Sequence, residues 1–187
     1  MTQEKIKELV ERYPYLLPRN VWTDKVPEDY DYTYFIGLEI PRGWLRLFLQ
    51  LCEDIRQPLI DAGYLDKFRF SQVKEKMNHL ECYNFGAPET VQDIIDKYSV
   101  MAQYVCTRCG RPATCETQGY LASFCDDCWK DFVRHEKIEW LKFKSYYKVT
   151  GFNNGKRYEK EISFEDEWNR YLESIGRDTI PETPQKE

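Results

Sequence analysis

The chain has 187 residues, 42% of them hydrophobic and 16% aromatic, enough for one medium domain or a domain with a small appendage. A formal charge of −5 argues against a dedicated duplex-binding protein, whose footprint is usually basic. Mean hydropathy is −0.70 and no run of about eighteen apolar residues occurs, so no membrane-spanning helix is expected.

The first residues, MTQEKIKELVERYPYLL, are charged and read as a helix, not as a secretory signal. Ile6, Leu9, Val10 and Tyr13 form its apolar stripe, with Thr2 as N-cap and Pro14 and Pro18 ending it. Residues 19–41 are rich in Asp, Tyr and Pro and read as irregular, with a short strand at Tyr32–Leu38. Residues 43–56 form the most hydrophobic helix, carrying Trp44, Leu45, Leu47, Phe48, Leu51, Cys52 and Ile55. Pro58 lacks an N–H and should end or kink it. Phe68–Met77 alternates as a strand, and Leu80–Phe85 is its hairpin partner, with Asn78 and His79 near the turn. Val91, Ile94, Ile95, Tyr98, Met101 and Ala102 outline another helix. A charged helix is expected after the second cysteine pair, to about Glu139. Asn154-Gly155 lies between two apolar-rich segments, which signals a hairpin. Phe164–Ile175 reads as a last helix, with Trp168, Tyr171, Leu172 and Ile175 at helical spacing. From Arg177 the composition suggests a disordered tail.

The most specific signal is Cys106, Cys109, Cys125 and Cys128, a C-x2-C…C-x2-C pattern with fifteen residues between the pairs. Two residues between cysteines let one short loop donate two thiolates to a tetrahedral Zn²⁺. Gly110 follows the first pair, where positive φ lets the chain turn under the metal. Four thiolates leave no open position for substrate or activated water, so one structural Zn²⁺ is expected and no metal catalysis. Cys52, Cys82 and Cys115 remain over and suggest no disulfide framework, which points to a reducing cytoplasm. Cys115 is a minor competitor for the metal, and Trp129 is placed to cover it.

Gly43-Trp44 opening an apolar helix, Gln72-Val73-Lys74-Glu75-Lys76 on a strand, then Cys-x2-Cys-Gly and a closing Cys-x2-Cys carry a resemblance. The chain resembles an uncharacterised family of small zinc-ribbon proteins of phages and bacterial genomes, whose members read GW…QVKEKFGGLRFY…CxxCG…CxxC/H. The likeness covers about residues 8–129. It departs at Met77-Asn78-His79, which stands for Phe-Gly-Gly, at Gly119-Tyr120 for Gly-Trp, and at Cys128 where many members have His. The resemblance implies a phage or mobile-element setting inside a bacterial cell, and no established activity.

Gln72, Lys74 and Lys76 share one strand face and form a candidate anion or ligand site, with Tyr83 or Trp44 to stack on a base. The plainer readings are an exposed edge protected by lysines, and a Trp44 anchored in the core. Residues 130–160 hold nine Lys/Arg against four Asp/Glu, a local surplus that suits an anion or simply a solvated surface. His79 and His135 are the only histidines and neither has a nucleophile partner in the pattern, nor is there a phosphate loop or deaminase signature. Asp126 and Asp127 read as solvated.

The expected fold is α+β: helices around a small β-hairpin, with a zinc ribbon and a C-terminal hairpin-helix extension. The expected divisions are 1–103 (helices and hairpin), 104–129 (ribbon), 130–176 (extension, separable by truncation after Lys130) and 177–187 (tail). The expected function is non-enzymatic binding of a host macromolecule, a host protein first, through Trp140, Phe143, Tyr146, Tyr147, Arg157 and Tyr158. Inhibition of a bacterial defence system is the sharper form. Alternatives are a small-nucleotide sponge or sensor at Gln72, Lys74 and Lys76, and nucleic-acid binding by the ribbon. No membrane partner is expected.

Overall fold

The structure, a computed structural model, describes residues 1–20, 22–131, 137–139, 143–153 and 156–176. The architecture is α+β, with five α-helices and small antiparallel sheets among these residues. None of the helices is long and apolar enough to cross a membrane.

Helix α1 (Gln3–Arg12) starts where Thr2 Oγ1 accepts from Lys5 N, and it buries Ile6 and Val10. A 3-10 turn at Pro14–Leu16 follows, because Pro14 at its first position loses no helical hydrogen bond. Its Tyr15 is buried and donates to the Cys52 carbonyl at 2.5 Å. The strand expected at Tyr32–Leu38 does not form. Tyr32 at φ +60° and Gly37 at φ +105° break extended pairing, and Phe35, Ile36 and Ile40 plug the core instead.

A 3-10 turn at Arg42–Trp44 leads into α2 (Leu45–Asp61), which buries Leu47, Phe48, Leu51, Cys52, Ile55 and Leu59. These sit three or four apart, so one face enters the core. Helix α2 does not end at Pro58; it runs on to Asp61. Leu59, fully buried beyond the proline, holds that last turn by packing despite the missing hydrogen bond.

Strands β1 (Arg69–Lys76) and β2 (His79–Phe85) pair antiparallel through a two-residue turn, Met77-Asn78, at φ +51° and +64°. Two left-handed residues make a type I′ turn, and Asn tolerates that region best after glycine. The turn is therefore one residue earlier than the sequence suggested, and His79 belongs to β2 opposite Lys76. Helix α3 (Glu89–Met101) packs Val91, Ile95 and Tyr98 inward, against α2 and β2.

Strands β3 (Cys115–Thr117) and β4 (Ser123–Phe124), helix α4 (Asp126–Lys130) and strand β5 (Lys137–Glu139) follow. The sheet order is β4-β3-β5. The helix expected to reach Glu139 stops at Lys130, and 137–139 pairs with the open edge of β3. That pairing satisfies backbone groups that β4 alone would leave free.

Strands β6 (Tyr146–Asn153) and β7 (Lys156–Ser163) form the C-terminal hairpin, and α5 (Glu165–Ser174) closes the fold. The Asn154-Gly155 turn, Trp140, His135 and the tail 177–187 lie outside the described residues. Phe164, Trp168, Tyr171 and Leu172 are buried in the same core as α1, α2 and α3. Ion pairs clamp α5 there: Arg170 holds Asp54 by two bonds of 2.9 and 2.7 Å, and Lys97 holds Glu167 at 2.7 Å. Truncation after Lys130 would remove this helix from the core that it shares with α1, α2 and α3.

Candidate metal centre and its surroundings

The sulfurs of Cys106, Cys109, Cys125 and Cys128 all lie within 4.8 Å of one another, and Cys109 Sγ is 3.6 Å from Cys125 Sγ. Metal–thiolate bonds of about 2.3 Å set tetrahedral sulfur–sulfur edges of about 3.8 Å. The cluster thus fits one metal ion held by four thiolates.

Local sequence builds this geometry from two loops. In the first, Gly110 turns at φ +78° and its N–H donates to the Cys106 carbonyl at 3.0 Å, while Cys106 N donates to Arg111 O at 2.8 Å. In the second, Cys125 caps α4, and Trp129 N reaches Cys125 O at 2.9 Å. Thr107 N donates to Ser123 O at 2.9 Å and binds the two loops together. Trp129 packs beside Phe124, with ring centroids 5.9 Å apart, in the small apolar cluster around the cysteines. Cys115 is buried and bonds the Phe124 carbonyl at 3.5 Å; it is not one of the four clustered sulfurs.

Cys109 is the exposed member of the four. Burial pushes its thiol up, but hydrogen bonds from the Arg111 side chain and backbone and from the Cys128 and Cys106 thiols outweigh it and bring the pKa down to about 6. Arg111 Nε lies 3.5 Å from Cys109 Sγ, and its NH1 donates to Asp127 at 2.7 Å. Asp127 also meets Lys130 at 3.6 Å, and Thr114 Oγ1 donates to Asp126 at 2.8 Å, so neither acid is merely solvated. Nothing in the cysteine spacing announced Arg111; a cation two residues after a ligand was the available signal.

The loops are bolted to the rest of the chain. Gly43 N donates to Thr107 O at 2.8 Å and Trp44 Nε1 to Val105 O at 3.0 Å. Tyr171 OH donates to Gly110 O at 2.5 Å. From the other side the β1–β2 turn arrives: Asn78, 2% exposed, donates from Nδ2 to Ser123 Oγ at 2.7 Å. Tyr120 OH reaches Glu75 at 2.6 Å. A groove of about 370 Å³ lies beside Cys109, lined by Arg42, Leu45, Arg46 and Leu49 among others.

The candidate ligand residues divide. Trp44 is fully buried with its indole N–H spent on Val105, so it cannot stack on a ligand. Gln72, Lys74, Lys76 and Tyr83 do share one face, but Glu81 stands opposite Lys74, and Lys74 Nζ sits 5.1 Å over the Tyr83 ring. The candidate partner residues divide as well. Phe143 is taken up inside, 4.8 Å from both Tyr104 and Trp168 by ring centroid. Tyr146 and Arg157 face outward; Tyr147, on the other face opposite buried Ile162, is itself 41% exposed, and Tyr158 lies beneath Lys160 on that inner face. In the basic segment, Lys130, Lys148 and Lys160 are held in ion pairs with Asp127, Glu159 and Asp93. No protein-family model, curated protein or solved structure matches the chain.

Proposed function

We propose that the chain is a non-enzymatic binding protein, stabilised by one structural Zn²⁺, that engages a partner protein through the outer face of β6–β7. Zinc suits four thiolates in tetrahedral array, and closed coordination offers no reacting position. The observation that carries the reading is the asymmetry of the hairpin. Its inner face is pinned: Ile162 is buried, and Lys160 binds Asp93 and Asp96 of α3. Its outer face presents Tyr146, Lys148, Thr150, Arg157 and Glu159, with Tyr146 52% exposed. An aromatic ring and an arginine on an anchored ribbon give up little entropy on docking, and both types dominate binding hot spots. The phage resemblance of residues 8–129 supports the finer version, a host defence protein as the inhibited partner.

The test compares tagged wild type with Tyr146→Ala and Arg157→Glu, drawn from lysate of the bacterial host and weighed by native mass spectrometry. One defined host protein should be retained by wild type and lost from both variants at unchanged melting temperature. A partner retained equally by all three would move the interface elsewhere, and a bare metal-loaded chain throughout would refute protein binding.

A further inference from the structure

The β1–β2 hairpin carries a second exposed surface, made by an irregularity that alternation alone does not reveal. The register shifts between Phe70 and Gln72, a β-bulge at Ser71. Below the bulge Gln72, Lys74 and Lys76 face Tyr83, Glu81 and His79; above it Arg69 faces Phe85. Cross-strand partners share a face, so the extra residue turns Arg69 onto the face that strict alternation denies it. The opposite face holds Phe70, Val73 and Leu80, all buried. Nothing in the core needs the outer aromatics: Tyr83 is 40% and Phe85 51% exposed, and neither joins an apolar cluster.

Two rings at alternate positions of one strand stand about 6.8 Å apart, roughly twice the rise between stacked bases. Unstacked bases splayed along a sheet meet that spacing, and bases within a duplex do not. Cations flank the rings: Lys74 Nζ lies 5.1 Å over Tyr83, Lys76 is exposed, and Arg69 is held beside Phe85 by Asp24 at 2.8 Å. We propose that this face is a stacking platform for single-stranded nucleic acid, with bases on Tyr83 and Phe85 and phosphates on Lys74 and Lys76. Gln72, exposed opposite Tyr83, offers an amide to a base edge. A net charge of −5 suits such a short contact led by stacking better than a long electrostatic track. Glu81, opposite Lys74, weakens phosphate binding, which gives the proposal a signed consequence.

The experiment is fluorescence anisotropy of the full metal-loaded chain with a labelled twelve-nucleotide oligothymidine (about 50 mM salt,), against the same strand in a duplex. The single strand should bind about tenfold or more tightly than the duplex. Tyr83→Ala and Phe85→Ala should each weaken it about tenfold. Removing Lys74 and Lys76 together should reduce the salt slope by about 1.4, and Glu81→Gln should tighten binding. Tyr146→Ala should bind as wild type, which separates this face from the protein-binding one. Melting curves check each variant, and Lys74→Glu, which changes no ring but removes the ammonium over Tyr83, should weaken binding as well. The proposal is overturned by absent single-strand binding, by equal duplex binding or by ring variants that bind like wild type. Displacement by polyglutamate as readily as by unlabelled strand, which would mark an acidic protein partner, overturns it too, as does full displacement by a mononucleotide at the strand's own concentration.

Discussion

Gly43→Ala probes whether the start of α2 and the first metal loop are locked backbone to backbone. An added Cβ would overlap the Cys106 carbonyl oxygen and stand 2.7 Å from Gly110 N and 2.8 Å from the Thr107 carbonyl carbon. All three are main-chain atoms, so no side chain can swing aside. Ordinary carbon contacts need about 3.5–4.0 Å, so the turn must withdraw from the loop by about 1 Å. That movement breaks the 2.8 Å bond from Gly43 N to Thr107 O and pulls the Trp44 indole from Val105 O, 3.0 Å away. An unpaired buried N–H costs about 1–3 kcal/mol, and overpacking about 1–3 kcal/mol more. The sum, about 2–6 kcal/mol, is a large share of a total stability of about 5–15 kcal/mol. Gly43 has no positive φ, so the effect is steric and owes nothing to glycine's backbone freedom. Urea unfolding at fixed free metal measures it. Gly63→Ala is the contrasting variant: φ is +66° with nothing within 4 Å, so backbone strain alone should cost about 1–2 kcal/mol. Gly43→Ala within about 0.5 kcal/mol of wild type would refute the lock, since exposed neutral substitutions scatter by that much.

Chelation or Cys106→Ser should release one metal and loosen the Trp44 indole and the Tyr171 hydroxyl, both bonded to the loop; unchanged hydrogen-exchange protection of the indole would show the loop and core to be independent. Asn78→Gly should keep the left-handed turn and lose the Nδ2 bonds to Ser123 and, at 3.4 Å, to Glu116, about 1–2 kcal/mol, while Asn78→Ala should cost about 1–2 kcal/mol more by adding strain at φ +64°; an Asn78→Gly melting temperature equal to wild type would deny the turn its docking role. The Glu53 carboxyl is held below its usual range by the Tyr13 hydroxyl at 2.5 Å and then by Arg12. A depressed carboxylate adds stability in full above its unfolded pKa and loses it as pH falls through the folded one. Its side chain is 48% exposed, so Glu53→Gln should cost at most about 1 kcal/mol at neutral pH, with the gap closing in acid; a gap constant down to about pH 2 would refute the assignment.

Periodicity and punctuation carried most of the helices, because α1, α2, α3 and α5 each bury a stripe at helical spacing. The four cysteines were legible because metal-ligand spacing is a local property. What stayed hidden depends on partners distant in sequence. Phe35 and Ile36 look like strand residues, but Tyr32 and Gly37 take left-handed angles to fit a core made elsewhere. Residues 137–139 look helical by charge, and only the open edge of β3 recruits them as a strand. Gly43-Trp44 was visible as a pair, yet its cause is a main chain sixty-odd residues away. The bulge at Ser71 has no local marker, so strict alternation along the strand puts Arg69 on the face opposite to the one it takes.

Both proposed surfaces are outer faces of two-stranded ribbons, and such ribbons are marginal alone. Each must be backed, and α3 packs against both β2 and β7. For β6–β7 the backing is concentrated in Lys160, which spans Asp93 and Asp96 at the ribbon's inner face, with Asp96 at 3.6 Å. If rigidity of the ribbon is what favours docking, then Lys160→Met should weaken partner binding although residue 160 never touches the outer face. The lysine side chain is 26% exposed, so the pair is partly screened and worth about 1 kcal/mol, or about fivefold in an equilibrium. Hydrogen exchange of the β6–β7 amides should rise by about that factor, and the partner dissociation constant should rise in step while Tyr146 and Arg157 stay intact. Faster exchange with unchanged affinity would show that the outer face binds by its side chains alone, whatever the stiffness of the ribbon beneath them.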